Sequence, residues 1–104
     1  MQRMNLFVSP IPSEGESFET LLRNDHLRIE AIVSSDTPEP ICYDQPHDEA
    51  VLLLEGDAML WIDGREIALK KGDFLLIPAH TPHKVLHTAP GTRWLAIHAK
   101  EPLC

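Results

Sequence analysis

The stretch that decides the fold is residues 57–70, DAMLWIDGREIALK. Two short aliphatic segments, residues 58–62 and 65–69, stand on either side of Asp63-Gly64. An Asp-Gly pair between such segments is typical of a type I′ turn, because both central positions of that turn need a positive φ. The stretch therefore predicts two antiparallel strands joined by a tight hairpin.

Short aliphatic segments of the same kind continue on both sides of this hairpin. They are residues 27–34, 50–56, 73–78, 83–88 and 92–99. Gly72 and Pro90-Gly91 mark further turns between them. Strands at such close spacing, with no helix between them, favour antiparallel pairing. The pattern predicts an all-β sandwich or small barrel.

The N-terminal part of the chain shows a different pattern. In residues 15–24, GESFETLLRN, Ser17 could cap a helix on which Phe18, Leu21 and Leu22 share one face. We therefore expect an N-terminal arm with a short helix at about residues 1–25. The whole chain, residues 1–104, is the length of one domain.

Composition and charge exclude several classes of partner. The formal net charge is −7, and no block is rich in lysine or arginine, so the sequence predicts no binding of nucleic acid or of an anionic membrane. The longest apolar run, AVLLL, is far too short for a membrane span. With no export signal recognised, we expect a cytoplasmic protein in which Cys42 and Cys104 are reduced thiols.

A first polar cluster precedes the strand at residues 50–56. Tyr43, Gln45, His47 and Glu49 are all odd-numbered, so in an extended segment they point to one side. That side becomes apolar further along the strand. A polar patch at one end of an apolar face is what a pocket near the mouth of a barrel would need.

A second polar cluster contains His80, His83 and His87. His83 and His87 share a strand face, whereas His80 precedes Pro82 and is expected in the turn, at the mouth or on the surface. Imidazole nitrogen and carboxylate oxygen suit zinc, iron, nickel or manganese, and Glu49 with His83 would supply half of a four-ligand site. Local spacing alone does not join the two clusters.

The two clusters resemble the two motifs of the cupin superfamily of small antiparallel β-barrels. Glu49 followed after six residues by Gly56 matches the end of the first motif. Gly72, Pro78 and His83 match the second at its family spacing. The resemblance covers about residues 41–99 and implies an all-β, antiparallel barrel or jelly roll.

The departures from the motifs fall on functional positions. Tyr43 and Gln45 stand where the family has its first two histidine ligands, while Glu49 and His83 are unchanged. The resemblance therefore implies a metal site drawn from Gln45, His47, Glu49 and His83. His47 enters that set as a substitute on the same face.

The remaining histidines have other expected roles. The family's glycine is His80 here, and its closing asparagine is His87. We expect His87, together with Tyr43, to line the pocket. His26 and His98 are interpreted as structural.

The resemblance implies three alternative functions. The first is a cupin that binds one divalent metal ion (Fe, Mn, Ni or Zn) and catalyses a dioxygenase- or isomerase-like reaction on a small polar or acidic molecule. The second is a non-catalytic binding or sensory module for a small-molecule ligand. The third is a barrel whose metal site has decayed, which the loss of two family histidines makes credible.

A homodimer is also expected. Small barrels of the cupin family commonly pair. A flat sheet face would leave apolar area, such as Leu60, Trp61 or Ile67, in need of cover.

Overall fold

A computed structural model of the protein describes Met1 and residues 3–103, and it contains eight β-strands. The strands are β1 (Glu16–Arg23), β2 (Leu27–Ser34), β3 (Asp48–Glu55), β4 (Asp57–Ile62), β5 (Arg65–Lys70), β6 (Phe74–Ile77), β7 (His83–Thr88) and β8 (Thr92–Ala99). The described part of the chain has no helix long and apolar enough to cross a membrane.

The strands form two antiparallel sheets. The five-stranded sheet has the order β1-β2-β8-β3-β6, and the three-stranded sheet has the order β5-β4-β7. The all-β antiparallel prediction is confirmed. The two sheets pack on a shared core without closing into a continuous barrel.

The hairpin predicted around Asp63-Gly64 joins β4 to β5. Asp63 has a φ of 46° and Gly64 a φ of 89°, as a type I′ turn requires. Pairing runs from Ile62 opposite Arg65 to the far end of both strands.

The predicted N-terminal helix is wrong. Residues 15–24 instead contain β1, which pairs antiparallel with β2 from Glu16 opposite Ser34 to Arg23 opposite Arg28. Phe18 and Leu22 are 55% and 48% exposed in this strand. Pairing with β2 satisfies the backbone of this segment, and tertiary context overrides its weak helical pattern.

The core lies between the sheets. Both sheets contribute to it through the buried residues Ile32, Val51, Leu53, Ala58, Leu60, Leu69, Ile77, Trp94 and Ala96. Leu60 is only 4% exposed, so the expectation that it needs cover from a second chain is wrong. Trp61 and Ile67 are also partly buried, Trp61 with the Lys84 ammonium 5.7 Å from its ring centre. The homodimer stays a prediction.

The sequence predicts reduced thiols at both cysteines. Cys42 is an exposed free thiol. The expected thiol at Cys104 lies outside the described residues.

Candidate functional site

A cavity of about 270 Å³ opens between the two sheets. Its apolar wall consists of Phe18, Ile32, Val51, Leu60, Ile77, Val85 and Trp94. Its polar lining consists of Glu16, Arg28, Glu30, Tyr43, Gln45, Glu49, His83 and His98. An apolar cavity with a few convergent polar groups is the usual form of a small-molecule site.

Glu49 lies at the centre of the polar lining. It stands in β3, where its neighbours across the sheet are Ile77 on one side and His98 on the other. The residue is 8% exposed. Its Oε1 accepts a hydrogen bond of 2.9 Å from the Gln45 side-chain amide. A buried carboxylate needs such partners to offset its loss of hydration.

His83 reaches Glu49 from the opposite sheet. Its Nε2 lies 3.6 Å from Oε1 of Glu49. Its Nδ1 lies 2.8 Å from the Thr81 carbonyl oxygen, which can only accept, so Nδ1 carries the proton and donates it. A neutral His83 therefore presents the lone pair of Nε2, the arrangement found in metal-ligating histidines.

The backbone around His83 joins the two sequence clusters. Tyr43 forms an isolated antiparallel bridge with His83, with hydrogen bonds of 2.7 and 2.9 Å between their backbones. The Tyr43 ring also stacks on the His83 imidazole, with the ring centres 5.7 Å apart. Tyr43 is one of the residues that line the cavity.

His98 is the site residue that the sequence interpretation missed. It was assigned a structural role, but its Nε2 lies 3.7 Å from Oε2 of Glu49. The family motifs end before β8 and so gave no indication of it. Strand alternation does indicate it, because Trp94, Ala96 and His98 are two residues apart and share the inward face of that strand.

His47 contacts the site indirectly. Its Nε2 lies 2.9 Å from Nδ1 of His98, in a hydrogen bond between the two rings. It does not line the cavity and reaches Glu49 only through His98. Gln45, by contrast, lines the cavity and contacts Glu49 directly.

The prediction that His87 lines the pocket is wrong. An irregularity in the pairing of β4 with β7 places Leu60 opposite Val85 but Met59 opposite His87. The extra residue breaks the alternation, so Val85 faces the cavity while His87 is exposed on the outer side. His80 is exposed in the turn, as expected, with a φ of 60°.

The two imidazoles that flank Glu49 have pKa values shifted in opposite directions. Burial alone would raise the pKa of Glu49, but His83, His98 and Gln45 outweigh that effect and hold this pKa below its ordinary 4.5. Burial alone would lower the pKa of His83, yet Glu49 and the Thr81 carbonyl hold it above 6.5. The pKa of His98 is lowered, chiefly by burial, although the charge of Glu49 opposes the shift. The surroundings thus stabilise the anionic form of Glu49 and the protonated form of His83, whereas they disfavour protonation of His98.

Further acidic groups surround the rest of the polar lining. Glu30 pairs with Arg28 at 2.6 Å. Burial raises the pKa of Glu16, and the nearby charges of Glu39 and Glu49 add to the shift while a hydrogen bond from Ser34 opposes it. Burial also raises the pKa of the Tyr43 phenol, with added contributions from Glu16, Glu39, Glu49 and Glu30. The field in this part of the cavity is negative.

The donor atoms fit a divalent ion by chemistry, and each imidazole also fits by its distance from the carboxylate. Two imidazoles and one carboxylate are a ligand set for iron and related metals. Two ligand atoms bound to the same tetrahedral ion lie about 3.4 Å apart. The distances from the Glu49 oxygens to the His83 and His98 nitrogens, 3.6 and 3.7 Å, are close to this value. Within Met1 and residues 3–103, however, no three histidine, cysteine, aspartate or glutamate side chains are already grouped to hold an ion.

Two curated relatives are dioxygenases. Over 41 residues the chain is 49% identical to quercetin 2,3-dioxygenase of Bacillus subtilis, a match to 39% of this chain and 12% of that protein. Over 64 residues it is 36% identical to 3-hydroxyanthranilate 3,4-dioxygenase of Cupriavidus pinatubonensis, a match to 58% of this chain and 34% of that protein. The chain thus spans at most about a third of the length of these two proteins.

Solved structures share the fold over nearly the whole chain. One, from Ralstonia eutropha and provisionally assigned as a mannose-6-phosphate isomerase, has a TM-score of 0.87 and 34% identity and covers 97% of this chain and 100% of its own. A cupin superfamily protein from Desulfitobacterium hafniense has a TM-score of 0.83 and 21% identity over 97% of this chain and 94% of its own. The second likeness concerns the fold alone.

The family model for the cupin domain matches residues 36–98, which include Glu49, His83 and His98. This match covers more than half of the chain and agrees with the two antiparallel sheets and their interior cavity. The resemblance seen in the two sequence motifs is therefore confirmed, and this chain belongs to the cupin family.

Proposed function

We propose that the cavity binds a small organic molecule and that Glu49, His83 and His98 hold one divalent metal ion at its polar end. The observation that carries this proposal is the placement of the Glu49 carboxylate between two imidazoles, at 3.6 and 3.7 Å, beside an apolar cavity. In this proposal His98 supplies an imidazole ligand in place of the histidine that the family has at the position of Gln45.

The residues around these three support the same role. The Thr81 carbonyl orients His83, and the His47 ring orients His98. Such outer contacts fix the tautomer and direction of a ligating imidazole. Gln45 donates to Oε1 of Glu49, so ligation by Gln45 would require its amide to turn and present its oxygen. A bound ion would supply Lewis-acid or redox chemistry.

The relatives support a reaction of the dioxygenase or isomerase kind. Two curated proteins that match this chain are named as dioxygenases, and one similar structure carries an isomerase assignment. For this chain we propose such a reaction on a small molecule bound against the apolar wall. The chain's own contribution is to orient the molecule, exclude water and hold the Glu49 charge.

A second candidate function is a metal-free binding module. Gln45 and His83 already satisfy Glu49 in part, and the described residues hold no group of three donors set for an ion. In this alternative the cavity would bind a ligand without changing it, with Tyr43 and the Glu49 centre as its polar contacts.

Metal analysis separates the two candidates. We expect protein purified without chelator, or incubated with iron, manganese, nickel or zinc, to hold about one ion per chain. His83→Ala and His98→Gln should lose the ion, whereas His26→Gln, an exposed histidine outside the cavity, should keep it. A wild type that stays empty after incubation with all four metals would leave only the metal-free module.

A further inference from the structure

Glu16 is a carboxylate at the cavity that has no cationic partner among the described residues. The other two acids of the lining have one, since Glu30 pairs with Arg28 and Glu49 lies between His83 and His98. Glu16 is half-buried at the start of β1, and no lysine, arginine or histidine among the described residues pairs with it. A partly buried charge without a partner is costly, so an unpaired one facing a cavity points to a partner in the ligand.

The Glu16 carboxylate is held in place by a chain of two hydrogen bonds, of which the inner one is buried and the outer one partly buried. Trp94 Nε1 donates to Ser34 Oγ at 3.0 Å, and Ser34 Oγ donates to Oε2 of Glu16 at 2.9 Å. Ser34 is 0% exposed. The serine has only one hydroxyl proton, and this geometry commits it to Glu16. Oε1 makes no hydrogen bond with any described residue and is free to accept one from a ligand.

Apolar surface lies directly beside this carboxylate. Phe18 follows on the same face of β1, opposite Ile32 on β2, and both line the cavity. Trp94 continues this wall on the neighbouring strand β8. The volume of about 270 Å³ lies just below the range of about 300–1,000 Å³ typical of drug-sized ligands, so it suits a body of about one ring.

We propose that the ligand of this cavity carries a positively charged amine on an apolar, ring-sized body, and that Glu16 binds the amine. This inference rests on the proposed binding function of the same cavity. The sequence predicts a polar or acidic molecule, and an acidic one would meet Glu16, Glu30 and Glu49, of which only the last two have cationic neighbours. An amine would supply the missing partner through a charge-assisted hydrogen bond.

Three probes of one size test the inference: benzylamine, benzyl alcohol and benzoate, titrated by chemical-shift perturbation. Wild type should bind the amine about tenfold more tightly than the other two. Glu16→Gln should weaken benzylamine binding until its affinity equals that of benzyl alcohol. Glu16→Asp keeps the charge and should still bind the amine more tightly than the alcohol. Glu19→Gln is the matched control, because Glu19 is exposed on the outer face of the same strand.

Two outcomes overturn the inference while the binding function stands. One is tighter or equal binding of benzoate or the alcohol by wild type. The other is an amine preference that survives in Glu16→Gln. If no probe binds, and small sugars and carboxylates leave the cavity resonances unmoved as well, the proposed binding function itself fails.

Discussion

The Glu49 carboxylate joins the two sheets, because its oxygens face histidines that come from different sheets. Nε2 of His83, from the three-stranded sheet, lies 3.6 Å from Oε1, and Nε2 of His98, from the five-stranded sheet, lies 3.7 Å from Oε2. Packing of the sheets over a common core therefore assembles the centre, and no local sequence segment could do so alone.

The two imidazoles should titrate on opposite sides of their ordinary pKa. NMR titration of the ring nitrogens is expected to place the pKa of His83 above 6.5 and that of His98 below it. In Glu49→Gln the pKa of His83 should fall, because burial is then opposed only by the Thr81 carbonyl and the charge of Asp44. Two histidines that titrate together, or a His83 pKa unmoved by the substitution, would contradict this electrostatic account.

The Glu49–His83 pair should stabilise the fold within a limited pH window. The lowered pKa of Glu49 contributes stability above about 4.5 that is lost as pH falls through the folded-state value. The raised pKa of His83 contributes stability that is complete below 6.5 and lost as pH rises through its folded-state value. Urea midpoints should show a larger loss from His83→Gln at about pH 5.5 than at about pH 8.5. An equal loss at both would mean that His83 acts only by packing.

Gly56 should be intolerant of a side chain. It has a φ of 89° between β3 and β4, and an added Cβ would lie 2.8 Å from the Thr92 Cα. Gly56→Ala is expected to lower the free energy of unfolding by about 3 kcal/mol, from backbone strain plus this contact with a neighbouring backbone. Gly64→Ala is the matched control, with the same φ but no atom within 4 Å, and should cost about 1 kcal/mol. Equal losses in urea unfolding would contradict the steric argument.

Ser34 should matter for stability as well as for the placement of Glu16. Ser34→Ala removes the acceptor of the buried Trp94 indole proton and should lower the free energy of unfolding by about 1–3 kcal/mol. The fluorescence of Trp94 should change in a Trp61→Phe background, where it is the remaining tryptophan. A variant as stable as its parent, with unchanged emission, would show that the hydrogen bond contributes nothing.

Much of the sheet architecture follows from turn chemistry and alternation. Asp63-Gly64 predicts its hairpin because few residues accept a positive φ, and the aliphatic segments around it have the length and composition of strands. The prediction of a helix at residues 15–24 is wrong because three apolar residues are a weak signal in so short a segment. Pairing with β2, a long-range effect, decides the structure of this segment.

The site was less accessible to sequence reasoning than the fold. Glu49 and His83 were joined only through the family motifs, since many residues separate them along the chain. His98 was missed because its role depends on standing opposite Glu49 across the pairing of β3 with β8. His87 was misplaced because a bulge in β7, which alternation cannot reveal, turns it outward.

The central claim is that Glu49, His83 and His98 act together as one centre for a divalent ion. Anomalous diffraction from crystals soaked in nickel tests it most directly. We expect one strong peak at the polar end of the cavity, within about 2.3 Å of a donor atom from each of the three residues. No peak there, or nickel bound only at surface sites such as His26 or His80, would contradict it.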